Sequence, residues 1–355
     1  MYTLRRILLA AGFSLLLLPG GARAGAPAPV STSSPEAAPA SSLVLVVRDQ
    51  EATEAFRARI ERVREMVSRG IMGVTGKGSP SEAWRALVTT QDVVGIKVHS
   101  APGLAGTRPE VAAAIAEGLI AAGVPPKQIV VWDKLQANLQ TAGFVQLAKE
   151  LGIRVLSGQQ AGYDEMVAYT NSVLGHLMWT DREFNKTGDD IGRRSFYTRL
   201  LTHEVTKIIN VAPLINHYRA GTAGCLYSLA MGSVDNTQRF EATGERLAEA
   251  VPEIYVQEPI LDKVVLHVVD ALLAQYEGES QTLLHYAQPM NELRFSHDPV
   301  ALDVLSLQEL ESLRQSHGIP GSTNFVAAYR RLYQDNAPLL ELGSADPKKI
   351  RVERK

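Results

Sequence analysis

Only one of the 355 residues is cysteine, Cys225. A single thiol excludes an intramolecular disulfide and, within one chain, a cysteine-held iron–sulfur cluster. Neither sign of charge dominates, with 36 Lys and Arg against 38 Asp and Glu, so nothing marks the chain as a nucleic-acid binder. The eight histidines form no HxH, HxxxH or HExxH pattern, and no GxSxG elbow is present. A metal site or a serine nucleophile would therefore have to be assembled from distant segments. Beyond the first 24 residues no segment is apolar enough to span a bilayer, and no internal repeat is visible.

What the chain has begins with a targeting pattern. Arg5 and Arg6 precede a 12-residue apolar stretch from Ile7 to Leu18, and Ala22-Arg23-Ala24 follows as a small-x-small cleavage site. This reads as a secretory signal peptide over residues 1–24, too short to be a membrane span. The Leu15 to Leu18 run fits general secretion better than the twin-arginine route, and no cysteine follows to carry a lipid anchor. The expected location is periplasmic or secreted. Without residues 1–24 the balance is 33 basic against 38 acidic residues, a net charge of −5. Residues 25–42, GAPAPVSTSSPEAAPASS, read as a disordered linker, and residues 43–355 as a single α/β domain.

Hydrophobic periodicity supports that class. Strands are expected at Leu43 to Arg48, Val93 to Val98, Gln128 to Trp132, Ile153 to Leu156, Lys207 to Val211, Val264 to Val269 and Glu292 to Phe295. Helices are expected at Glu51 to Arg69, Pro109 to Ala122, near Thr141 to Leu151, and at Pro299 to His317. This alternation implies a mainly parallel sheet flanked by helices, with long loops over the carboxyl ends of the strands. The polar middle, Ser157 to Arg194, is expected to hold long loops or a small hairpin near Val173 to Trp179.

Five of the expected strands end in polar or ionisable residues: Lys97 with His99, then Asp133, Asn216 with His217, Asp270, and His297 with Asp298. Ligands of open α/β sheets sit beyond the carboxyl ends of the strands, so these residues are candidates for one cleft. Each has a plainer reading. Thr107-Arg108-Pro109 is either a helix cap or an anion site at a helix N-terminus, and Asp298 before Pro299 is a good N-cap. Cys225 and Ser228 fall in an apolar helical run, where core packing is the commoner role. His176, His203, His267, His285 and His317 sit in contexts that single out none of them.

The densest polar stretch runs from Lys207 to Arg239, KIINVAPLINHYRAGTAGCLYSLAMGSVDNTQR. An apolar strand passes into a turn bearing Asn216 and His217, two glycines open a helix-like run, and Asp235, Asn236 and Arg239 follow. Together with VVGIKVHSAPGLAGTRPEV and LRFSHDPVALDVL, this segment resembles domain-of-unknown-function family 362, in its signal-bearing branch, from roughly Val93 to Pro320. The resemblance implies the α/β fold, the pocket and a role for His217, which matches the family's histidine. It also marks departures: His99 stands at an asparagine position, Ile215 replaces a lysine, and Tyr227-Ser228 replaces a lysine–asparagine pair.

The resulting expectation is an exported enzyme of unassigned reaction acting on a small anionic or metal-bound substrate. His217, Lys97 and Asp133 are its candidate catalytic residues. His99, Thr107, Asn216, Asn236, Arg239 and Asp270 are candidates for ligand binding, and His217, His297 and Asp298 for a divalent metal. The alternative is a non-catalytic extracytoplasmic protein that captures a metal or metabolite. The expected partner in either case is a small molecule, and the oligomeric state is left open.

Overall fold

The computed structural model describes residues 41–321, 326 and 329–355. The expected signal peptide and all but the end of the expected linker lie outside these residues. Ser42, placed in the linker by composition, is already the first residue of strand β1 (Ser42–Arg48).

A nine-stranded sheet organises the chain. Its centre is parallel: β2 (Val94–Val98), β3 (Ile129–Asp133), β4 (Arg154–Ser157), β7 (Lys207–His217) and β9 (Val264–Gln275) lie in the order β9-β7-β2-β3-β4. All five residues of β2 and of β3 are buried, as expected of parallel strands covered on both faces. The short β8 (Gly221–Thr222) folds back antiparallel on the end of β7. Beyond β9 the sheet changes character. Strand β10 (Ala287–Ser296) runs antiparallel to β9 and to β1, and β11 (Ile350–Arg354) adds a parallel edge to β1.

Alternation along the strands divides the core between two faces. On one, Ile96, Val131, Val211 and Phe295 pack with helices α1 (Ile60–Thr75), α2 (Pro109–Ala121) and α3 (Phe144–Leu151). On the other, Val130, Trp132 and Ile208 pack with α4 (Cys225–Ser233), α5 (Gly244–Tyr255) and α6 (Pro299–Ser316). The chain leaving β2 enters α2 on the first face, while the chain leaving β7 enters α4 on the second. Neighbouring strands whose connections part to opposite faces leave a crevice between them at their carboxyl ends.

Several expected elements shift. The first helix begins at Ile60 rather than Glu51, because Ala55 and Phe56 adopt positive φ and close a small hairpin of Thr53–Glu54 with Arg57–Ala58. The expected hairpin near Val173 to Trp179 is absent from that segment. A two-stranded ribbon of β5 (Tyr163–Thr170) and β6 (Arg194–Thr198) forms instead, and residues 171–193 are the long connection between its strands. Strands β7 and β9 run six residues past their expected ends, so Asn216 and His217 finish a strand and Asp270 sits in the middle of one. Beside Pro213, which has no N–H to give the ladder, the β7–β9 register slips between Asp270 and Ala274.

Candidate functional site

Lys97 lies on β2 with its side chain toward α4, and no part of it reaches solvent. Its ammonium sits 2.9 Å from Asp133 Oδ1 at the end of β3, and donates to Val98 O at 2.7 Å and Ser228 Oγ at 3.3 Å. All three of its protons are thereby used. Asp133 also accepts from Ser100 through both N–H and Oγ–H, each at 2.7 Å. Burial would raise the Asp133 pKa, but Lys97, His99 and the two Ser100 bonds outweigh it and push it down to about 2. Burial draws Lys97 below the usual lysine range, and Asp133 opposes that shift. The carboxylate stays ionised and holds its ammonium partner.

Gly232 on α4 makes this pair fit. A Cβ there would come within 2.3 Å of Lys97 Cε and 3.2 Å of Asp133 Oδ1. The helix can lie over the ion pair only because this residue has no side chain.

Above the pair opens a cleft of about 770 Å³. His99, Asp133, Lys134, Tyr227, Ser228 and Glu241 line it, together with Met178 and Trp179 from the long 171–193 connection. The His99 imidazole makes no hydrogen bond to any described residue, and burial, with Lys97 adding to it, lowers its pKa to about 4. Lys134 donates to Thr237 Oγ1 at 2.7 Å. Glu241 accepts from the Tyr227 hydroxyl at 2.7 Å, and burial raises its pKa.

His217 stands just behind this wall, its ring 4.4 Å from that of Tyr227. Its Nδ1 accepts the N–H groups of Ala220 at 3.0 Å and Arg219 at 3.3 Å, which assigns the proton to Nε2. Nε2 faces Glu241 Oε2 at 3.7 Å and Nδ1 lies 4.0 Å from Glu279. Two carboxylates at such distances would favour the charged form, yet burial, reinforced by His99 and Arg219, prevails and lowers the pKa to about 4. The tautomer agrees with this neutral form, since Nδ1 is already an acceptor.

The family model described as domain of unknown function (DUF362) matches residues 94–308. The chain belongs to this family. Among solved structures, the chain is similar to a protein from Thermotoga maritima whose crystal structure came from a structural genomics consortium. The TM-score is 0.40 with 12% sequence identity, covering 74% of this chain and 60% of that one. A search of curated proteins gave no match.

Within this DUF362 fold the other candidate residues are placed unevenly. Lys97, His99 and Asp133 meet at the cleft, and His217 adjoins it through Tyr227 and Glu241. Thr107 instead ties two segments, donating to Val211 O at 2.7 Å and accepting the His99 N–H at 3.0 Å. Asp270 accepts the Arg108 N–H at 2.8 Å and pairs with its guanidinium at 3.2 Å, anchoring the start of α2. Asn216 accepts the Glu279 N–H at 3.1 Å. Asn236 and Arg239 clamp the ribbon and its long connection. Asn236 donates to Gly192 O and Arg194 O, and Arg239 to Ser195 Oγ, Val173 O and Tyr169 O. Arg239 is 2% exposed and stacks on Phe240, so its charge is spent on carbonyls rather than on a ligand.

The expected metal set does not assemble. Strand β10 is antiparallel, so its carboxyl end lies at the amino end of the parallel strands. There His297 Nδ1 contacts Val265 O at 2.9 Å, and Asp298 caps α6 through the Ala301 N–H while also accepting from Ser344. His217 closes the other end of β7, on the order of 30 Å away at ~3.3 Å per residue. Among the described residues no group of three His, Cys, Asp or Glu is placed to share a metal ion.

The sequence singles out none of Lys134, Glu241 and Gly232, and marks Tyr227 only as a departure from the family pattern. Lys134 follows Asp133 directly, and the same strand-end reasoning reaches it. Glu241 and Gly232 carry no comparable signal, because each matters through what the fold lays against it.

Proposed function

We propose that this DUF362 protein is an exported enzyme that moves protons on a small polar substrate held in the cleft at the strand carboxyl ends. The observation that carries the reading is the His99 ring: an imidazole without a hydrogen-bond partner among the described residues, lining the cleft beside a buried Lys97–Asp133 pair. The imidazole is neutral at neutral pH and offers a ring nitrogen to a substrate proton, and burial moves Glu241 toward the protonated form that can return one. The Lys97–Asp133 pair supplies a fixed field that needs no rearrangement as charge develops. Lys134, bonded only to Thr237 among the described residues, is the amine that faces an anionic part of the substrate; burial lowers its pKa and Asp181 and Asp235 oppose that.

The test incubates the purified protein, residues 25–355, with a small-molecule extract and follows consumption by mass spectrometry. At least one compound is expected to disappear with the wild type and to persist with His99→Ala and Lys97→Met. A compound that co-purifies and binds stoichiometrically, with nothing consumed, would replace the enzyme by an extracytoplasmic binding protein.

A further inference from the structure

Four side-chain amides line the cleft, those of Gln136, Asn138, Gln159 and Gln238, and none makes a hydrogen bond to a described residue. For Gln136 this is costly, because its Oε1 is buried and left without a partner. Buried amide oxygens are almost always paired, so one that is not calls for a donor from outside the chain, a ligand or a water. Of the carboxylates of the same cleft, Asp133 and Asp181 are engaged through both oxygens and Glu241 through one. Asp133 holds Lys97 and Ser100, Asp181 accepts the N–H groups of Met178 and Asn236, and Glu241 accepts from Tyr227. The unspent hydrogen-bonding capacity is thus mainly amide.

The second observation is Trp179. It lines the cleft yet is 69% exposed, while Trp84 and Trp132 are buried. An exposed indole on a cleft wall, with Met178 beside it and Met231 and Tyr227 also in the lining, offers a stacking platform. A side-chain amide presents a donor next to an acceptor in one plane, which matches the edge of a planar ring carrying donors beside acceptors.

We infer that the cleft takes a planar heterocycle of the nucleobase type, stacked on Trp179 and read along its edge by Gln136, Asn138, Gln159 and Gln238. This rests on the reading of the cleft as the functional site and adds the class of molecule it selects. His99 and the Lys97–Asp133 pair then face the part of the ligand that extends from the ring toward the strand ends.

The experiment titrates the purified protein with adenosine, guanosine, cytidine and uridine, and with glucose as a non-planar control. Tryptophan fluorescence and calorimetry are read in parallel. At least one nucleoside is expected to quench fluorescence saturably, because Trp179 is the exposed indole. Trp179→Ala is expected to weaken that binding about ten-fold or more, the usual worth of base–aromatic stacking, and Gln136→Ala several-fold, with both variants melting as the wild type does. The inference is overturned if no nucleoside binds, or if binding is unchanged in both variants. Glucose binding that His99→Ala abolishes, with all nucleosides silent, overturns this inference and leaves the cleft reading intact. No ligand of either kind, together with no His99-dependent consumption from the extract, overturns both.

Discussion

Asp133 and Asp298 both follow a buried strand and both stand near a histidine in sequence or space, yet the fold treats them differently. Asp133 closes a parallel strand and is held by Lys97 and Ser100 at the floor of an open cleft, beside an imidazole that bonds to none of the described residues. Asp298 follows an antiparallel strand and is consumed by helix capping, while its neighbour His297 is tied to a backbone carbonyl. At one end of the sheet the chain leaves polar groups unspent, and at the other it satisfies them. Strand direction produces the difference, because the crevice between β2 and β7 opens only where parallel strands end together.

Asp133→Ala should break the comparison most severely. It strands the Lys97 charge in the core and is expected to cost about 3–5 kcal/mol in urea unfolding. Replacing both partners, as Lys97→Met with Asp133→Leu, should recover most of that stability while abolishing turnover. A recovery that failed would mean that the pair serves packing more than function.

Next in size is the response to acid. His99 and His217 titrate at about 4 in the folded protein and His267 at about 3, against 6.5 for the unperturbed group. A histidine with a depressed folded pKa adds no penalty above pH 6.5. As pH falls below 6.5 the unfolded chain takes up protons first, so stability declines until the folded pKa is passed. Unfolding midpoints measured between pH 7 and 4 should therefore fall, and His99→Gln and His217→Gln should each flatten the slope. A slope unchanged in both variants would assign the acid response elsewhere.

Gly232→Ala drives a methyl group into Lys97 and is expected to cost about 1–3 kcal/mol through overpacking. The consumption assay should lose activity in this variant before stability fails, because the ion pair is displaced first. Asp298→Ala removes a cap at the opposite end and should cost about 1 kcal/mol, with substrate consumption unchanged. His297→Ala closes the series at below about 0.5 kcal/mol, as expected of a surface-side substitution. A large loss of activity in either of these last two variants would erase the distinction between the two ends.

Much of the architecture was legible in the chain. The runs at Val94–Val98 and Ile129–Asp133, apolar but for Lys97 and Asp133, announce buried parallel strands, and Pro299 after Asp298 marks the start of α6. Less legible were the ends of β7 and β9, where polar residues such as Asn216 and Asp270 look like strand stops but are paired by segments far away. The ribbon of β5 and β6 was missed because its strands lie 23 residues apart and its polar stitching through Asp235, Asn236 and Arg239 comes from another part of the chain.

The candidate site divides in the same manner. Local order along the sequence places Lys97, His99 and Asp133 at strand ends and makes them candidates, since strand periodicity and burial are short-range properties. Whether His297 and Asp298 join them, whether Arg239 faces a ligand or a ring of carbonyls, and whether Gly232 leaves room for an ion pair depend on strand direction and helix placement. Those are fixed by contacts between segments distant in the chain, and only the tertiary structure decides them.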